Sequence, residues 1–135
     1  MTASIMSEFT VNQILDAVRA FYVAWDLDLV VCQGKRARTL EHMLANPRTA
    51  FAVDDRKADA WLQGIGAAVV LAGDKDERAR TQLQRVAPEF TRHFTNPEYP
   101  TLLIKVDELT FVDRPNEIYP RQHLVLQDGA WRFMQ

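Results

Sequence analysis

Cysteine is almost missing from this sequence, Cys32 being the single one. One thiol cannot close an intramolecular disulfide or supply a thiolate zinc site, and such sparse use suits a reducing cytoplasm. A dominant sign of charge is missing too. Lys and Arg number 16 against 18 Asp and Glu, for a formal net charge of -2, so no global field draws in nucleic acid or an anionic membrane. Any anion site must be local. Long apolar runs are absent: none approaches the roughly 20 residues that cross a bilayer. The opening MTASIMSEF has neither a basic n-region nor a long apolar h-region, so no signal peptide is expected. His42, His93 and His123 lie far apart and share no ligand spacing with Cys32 or a carboxylate, so no metal site is expected. Nucleophile-elbow, Walker and dinucleotide fingerprints are absent, and Gly64 and Gly66 lack the strand-to-helix setting of a phosphate-binding glycine loop.

What is there describes a folded chain. The 135 residues are 47% hydrophobic and 25% charged, enough for one domain, residues 1–135, to bury a core without staples. Ile14, Leu15, Val18, Phe21, Tyr22 and Trp25 repeat at helical spacing. The same stretch is rich in the β-branched and aromatic residues of strands, and it runs into WDLDL, whose Asp26 and Asp28 supply turn chemistry. Residues 17–25 and 28–33 therefore read as a hairpin. From Arg36 to Ala45 a short helix is expected, with Leu40, Met43 and Leu44 as its apolar face and Asn46-Pro47 as its stop.

TAFAVD (49–54) and WLQGIGAAVVLAG (61–73) read as strands, the latter with Gly64 and Gly66 marking a bulge or a close backbone approach. Asp74 followed by Glu77 suggests a capped helix over about 75–87, with Ala79, Leu83 and Val86 buried and Pro88 closing it. Residues 88–100 read as an irregular or briefly helical connection. TLLIKVDELTFVDR (101–114) reads as a long strand, and HLVLQDGAWRF (123–133) as a terminal hairpin turning at Asp128-Gly129. There is no βαβ rhythm and no repeat. The fold class expected is mainly β (α+β), an antiparallel barrel with short flanking helices.

One cluster carries candidate chemistry. Lys35, Arg36 and Arg38 sit where a strand gives way to a helix. Free N–H groups at a helix start favour an anion, and cations beside them are unfavourable unless something negative is near. A solvated charged turn is the competing reading. Cys32, near the end of an apolar strand, reads as a small buried hydrophobe rather than a nucleophile. Trp25, Trp61 and Trp131 read as core or interface residues. Nucleic-acid binding would need cations interleaved with aromatics along a face, and only one short cluster exists.

Four segments, VRAFYVAWDLDLVV, RTLEHMLANPRTAFAVD, WLQGIGAAVVLAGDKDERARTQLQ and TLLIKVDELTFVDRP, resemble the pyridoxamine 5'-phosphate oxidase-like FMN-binding split barrels, nearest to their YhbP-like branch. The resemblance spans nearly the whole chain from about residue 17. It implies a split β-barrel with FMN in a cleft at a homodimer interface, the phosphate held by basic residues on the second strand and at the start of the short helix.

Counted back from Asn46-Pro47, Arg38 falls on the helix-start arginine. Thr39 stands where the family commonly has lysine and brings no charge, a loss that Lys35 or Arg36 would offset. Arg19 falls on the second-strand arginine, and Cys32 and Gln33 fall where strand residues contact the flavin. The family's first strand must fit within MTASIM and its neighbours, so it is expected to be short or missing. The function implied is an FMN-dependent oxidoreductase acting on a small-molecule substrate, with no nucleic-acid or membrane partner. The alternative is a non-catalytic split-barrel dimer that binds a ligand or a partner, in a superfamily whose ligands include haem and deazaflavins.

Overall fold

The computed structural model describes residues 2–7, 18–34, 38–55 and 59–134. Among the described residues, eight strands and three α-helices follow in the order β1 (Thr2–Ser7), β2 (Val18–Trp25), β3 (Asp28–Cys32), α1 (Arg38–Ala45), β4 (Arg48–Asp55), β5 (Ala60–Val70), α2 (Asp74–Val86), α3 (Thr91–Phe94), β6 (Thr101–Asp113), β7 (Ile118–Gln127) and β8 (Ala130–Met134). All pairings are antiparallel. The sheet runs β3-β2-β1-β4-β5-β6-β7-β8, and a further pairing of β3 with β6 closes the first part of it into a barrel.

β6 makes this closure possible by dividing one of its edges between two partners. Thr101–Ile104 pair with β3, whereas Glu108–Asp113 pair with β7. Asp28 marks the division, its Oδ1 accepting the Val106 N–H at 3.0 Å. The first strand is present: its six residues pair with β2 on one side and β4 on the other.

Two cores explain the apolar runs. Leu29 and Val31 join Phe51, Met43, Leu102 and Ile104 inside the barrel. Val30 and Cys32 point the other way, into a second core with Ala79, Leu83, Phe94 and Leu103 beneath α2. A strand buried on both faces has no polar alternation to show, which is why LVVC reads as an unbroken apolar run. Gly64 and Gly66 are required where they lie. A Cβ on Gly64 would run into the Phe51 ring, and one on Gly66 into the carbonyl of Lys105, beside the register shift between Ile65 and Gly66.

The helices correct three expectations. α2 starts at Asp74 with Gly73 as the capping residue and no side-chain cap bond, so the anticipated Asp74–Glu77 box does not form. Gly73 turns the chain at φ 62°, and Asp74, Asp76 and Glu77 fall inside the first turn, where they complement the helix dipole. Val86 and Leu44 are exposed, at the margins of apolar stripes that bury Ala79, Leu83, Leu40 and Met43.

Candidate functional site

The hairpin β2–β3 brings several of the anticipated site residues to one end of the barrel. Tyr22 pairs with Val31, so Arg19, three residues before Tyr22, belongs to the same hairpin end as Cys32 and Gln33. In the backbone register Arg19 lies opposite Ser4 of β1. Arg38 and Thr39 are the first two residues of α1. Lys35 and Arg36, which precede them, lie outside the described residues.

Gln33 is the most informative of these positions. It follows β3 directly, its N–H donates to the Pro100 carbonyl at 3.0 Å, and it is only 2% exposed. Its side-chain Nε2 is buried with no hydrogen-bond partner among the described residues. An unmet buried donor costs about 1–3 kcal/mol, a penalty that an acceptor from a ligand would remove. This donor sits immediately before the cationic segment and the helix start, so the residues present fit a ligand rich in acceptor oxygens, such as a phosphate-bearing cofactor.

Cys32 packs beneath α2, its Sγ 3.4 Å from the Tyr99 carbonyl that accepts its hydrogen bond. Burial pushes the thiol up to about 11; Arg80 pulls the other way and Asp76 adds to the rise. A thiol so held is protonated at neutral pH and is a poor nucleophile. The Cys32 carbonyl accepts a hydrogen bond from His93 Nε2 at 3.3 Å, and the His93 ring lies 4.7 Å from that of Tyr99.

A second site lies on the outer face of the barrel. Register sets Ala52, Gln63, Thr110 and His123 in one cross-strand row, and Ala50, Ile65, Glu108 and Val125 in the next. A cleft of about 250 Å³ lies over them, lined by Ala50, Ala52, Gln63, Ile65, Glu108 and Thr110. At its edge His123 Nε2 donates to Glu108 Oε1 at 2.7 Å, both side chains being about one-third exposed. Neither Glu108 nor His123 was singled out as a functional pair from the sequence. They are 15 residues apart and meet only through the β6–β7 register, which shifts between Phe111 and Asp113. An apolar cleft of about 200 Å³ opens at the barrel mouth beside Tyr22, Leu27 and Phe51; burial raises the Tyr22 phenol above its ordinary 10.0. Among the described residues no group of His, Cys, Asp and Glu is arranged to hold a metal ion, and no helix is long and apolar enough to cross a membrane.

No protein-family model matches the sequence, and no curated protein matches it. Solved structures do. PhzG from Burkholderia lata 383, in complex with tetrahydrophenazine-1-carboxylic acid, is 11% identical, with a TM-score of 0.71 over 99% of this chain and 80% of its own. A pyridoxamine 5'-phosphate oxidase-related, FMN binding protein from Nostoc punctiforme PCC 73102 is 9% identical, with a TM-score of 0.66 over 99% of this chain and 86% of its own. A heme binding protein from Mycobacterium smegmatis is 15% identical, with a TM-score of 0.69 over 92% of this chain, which spans about half (51%) of that protein. Identities this low establish fold. The barrel is the split barrel of pyridoxamine 5'-phosphate oxidase-like proteins.

Proposed function

We propose that this chain is a split-barrel flavoprotein of the pyridoxamine 5'-phosphate oxidase-like class, nearest to its YhbP-like branch, binding FMN as a cytoplasmic homodimer and serving as an oxidoreductase on a small-molecule substrate. The observation that carries the reading is the buried amide of Gln33, which has no hydrogen-bond partner among the described residues and precedes a stretch that the sequence makes cationic. It is supported by the shared fold with a protein described as FMN binding.

In this reading Arg38 and Arg19 neutralise the phosphate, with Lys35 or Arg36 supplying the charge that Thr39 lacks. Thr39 contributes a hydroxyl donor, Gln33 an amide donor, and Cys32 the strand end next to it. When bound, FMN would supply the redox chemistry, while the protein positions it and tunes its electronics. The protonated Cys32 thiol takes no part as a nucleophile.

The test is the visible absorption spectrum of the purified protein before and after addition of FMN and removal of the excess. A retained flavin band is expected, and Arg38→Ala should weaken FMN binding by about 1.5–3 kcal/mol, the worth of a charge-assisted phosphate contact. A protein that takes up no flavin would sink the reading.

One observation favours a second reading, a split barrel that binds a ligand without turning it over. The heme binding protein of M. smegmatis has the same fold, and fold does not fix chemistry. A protein that retains FMN yet shows no turnover with reduced nicotinamide cofactors would support it.

A further inference from the structure

The end of β3 is gripped by the chain between α3 and β6. The Tyr99 carbonyl accepts from the Cys32 thiol at 3.4 Å, and the Pro100 carbonyl accepts from the Gln33 N–H at 3.0 Å. His93 Nε2 completes the grip by donating to the Cys32 carbonyl at 3.3 Å; a carbonyl only accepts, so the proton of this bond is on the ring. The ring packs on Tyr99 at 4.7 Å and edge-on to Phe94 at 5.5 Å, and a Cβ added to Gly34 would come within 4.0 Å of its Cε1. Arg80 holds the carbonyls of Phe94, Asn96 and Tyr99, so the gripping segment is fixed to α2. Against the grip stands Gln33, 2% exposed, whose Nε2 has no partner among the described residues. Local opening of the strand end would give that amide to water. The grip thus opposes the cost of burying an unmet donor, a cost that a ligand acceptor would remove.

We propose that His93 is a positioning residue of the flavin site: its hydrogen bond to the Cys32 carbonyl latches the end of β3 in the arrangement that keeps the Gln33 amide buried and available to a ligand acceptor. The inference rests on the FMN reading. Occupancy and latching are linked in it, because a ligand that binds only the latched state stabilises that state. Loosening the latch lowers the competent fraction of the protein and weakens the apparent affinity by the same factor. His93 acts through Cys32 and Gln33.

The test uses the full chain with FMN as probe, flavin fluorescence for affinity and hydrogen exchange by NMR for the latch. His93→Phe keeps a ring against Tyr99 and Phe94 and loses the donor, whereas His93→Gln restores an N–H near the place of Nε2. His93→Phe is expected to weaken FMN binding about fivefold, the worth of one neutral hydrogen bond, and His93→Gln to recover most of that loss. In the parent, FMN is expected to slow exchange of the Gln33 backbone amide more than that of Val30 in mid-strand. The proposal is overturned if FMN slows the two amides alike, if folded His93→Phe keeps the parent affinity, or if folded His93→Gln binds as weakly as His93→Phe. Should neither variant fold, the exchange in the parent decides. A parent that takes up no FMN removes the flavin reading and this inference with it; the three results above, in a parent that retains FMN, remove this inference alone.

Discussion

Cys32 shows how one buried side chain links packing to pH. It lies in the core beneath α2, its thiol donating to the Tyr99 carbonyl, and burial raises it from the ordinary 9.0 to about 11. A thiol is neutral when protonated, so the folded state holds this proton more tightly than the unfolded one. Below pH 9 both states are protonated and the group leaves stability unchanged. As pH rises through 9 toward 11 the unfolded chain loses the proton first, and stability falls by about 2 kcal/mol. Urea midpoints measured across that window should therefore drop for the parent and drop less for Cys32→Ala; parallel slopes would refute the assignment. The burial itself was legible, because an apolar strand end usually hides a lone cysteine. The raised proton affinity was not, since it needs α2 and the 94–99 loop laid over it. Glycines at 64 and 66 were legible for a related reason: only a close approach or a bulge makes two glycines useful within one strand, and Phe51 and Lys105 supply those approaches.

Elements show where local signals end. The hairpin at residues 18–32, the helix before Asn46-Pro47, and the Asp128-Gly129 turn were readable because turn chemistry and periodicity are local. Asp128 and Gly129 adopt φ values of 51° and 78°, the paired positive values of a tight hairpin turn. Leu44 and Val86 misled because a helical stripe tells which side is apolar but not how wide the covering surface is. The anchoring of α2 was invisible for another reason: it rests on Arg80, one cation in a helix full of charge. Its guanidinium bonds Asp76 at 2.9 Å and the carbonyls of Phe94, Asn96 and Tyr99 at 2.7, 3.0 and 2.8 Å. Asp76 in turn accepts from the Thr101 hydroxyl at 2.6 Å, so helix, loop and the start of β6 are tied through one residue. Arg80→Ala should cost about 2–4 kcal/mol, since three carbonyls lose a charged donor. Arg80→Lys should recover little, because a point ammonium cannot reproduce the planar fork. Thermal unfolding of both variants checks this, and full recovery by lysine would show that charge alone holds the loop.

At the scale of the whole molecule the decisive feature is the divided edge of β6. The barrel strands β3 and β6 are paired on both edges and buried on both faces where they meet, whereas β8 pairs only with β7 among the described residues. The hairpin β7–β8 carries Leu124 and Trp131 against the barrel core, yet on the same face Phe133 is 69% exposed. Its edge, unpaired among the described residues, and its exposed Phe133 and Met134 make it the least protected part of the sheet and a ready surface for a second copy. Hydrogen exchange separates these parts. In dilute solution the amides of Ala130–Met134 should exchange at least about a hundredfold faster than those of Val30, Val31 and Leu102–Ile104, reflecting local opening without barrel unfolding. If a homodimer forms through this hairpin, their protection should rise with protein concentration while the barrel amides keep theirs. Protection of β8 equal to that of the barrel in dilute solution would mean that the hairpin opens only with the barrel, and that the sheet is one cooperative unit despite the divided edge.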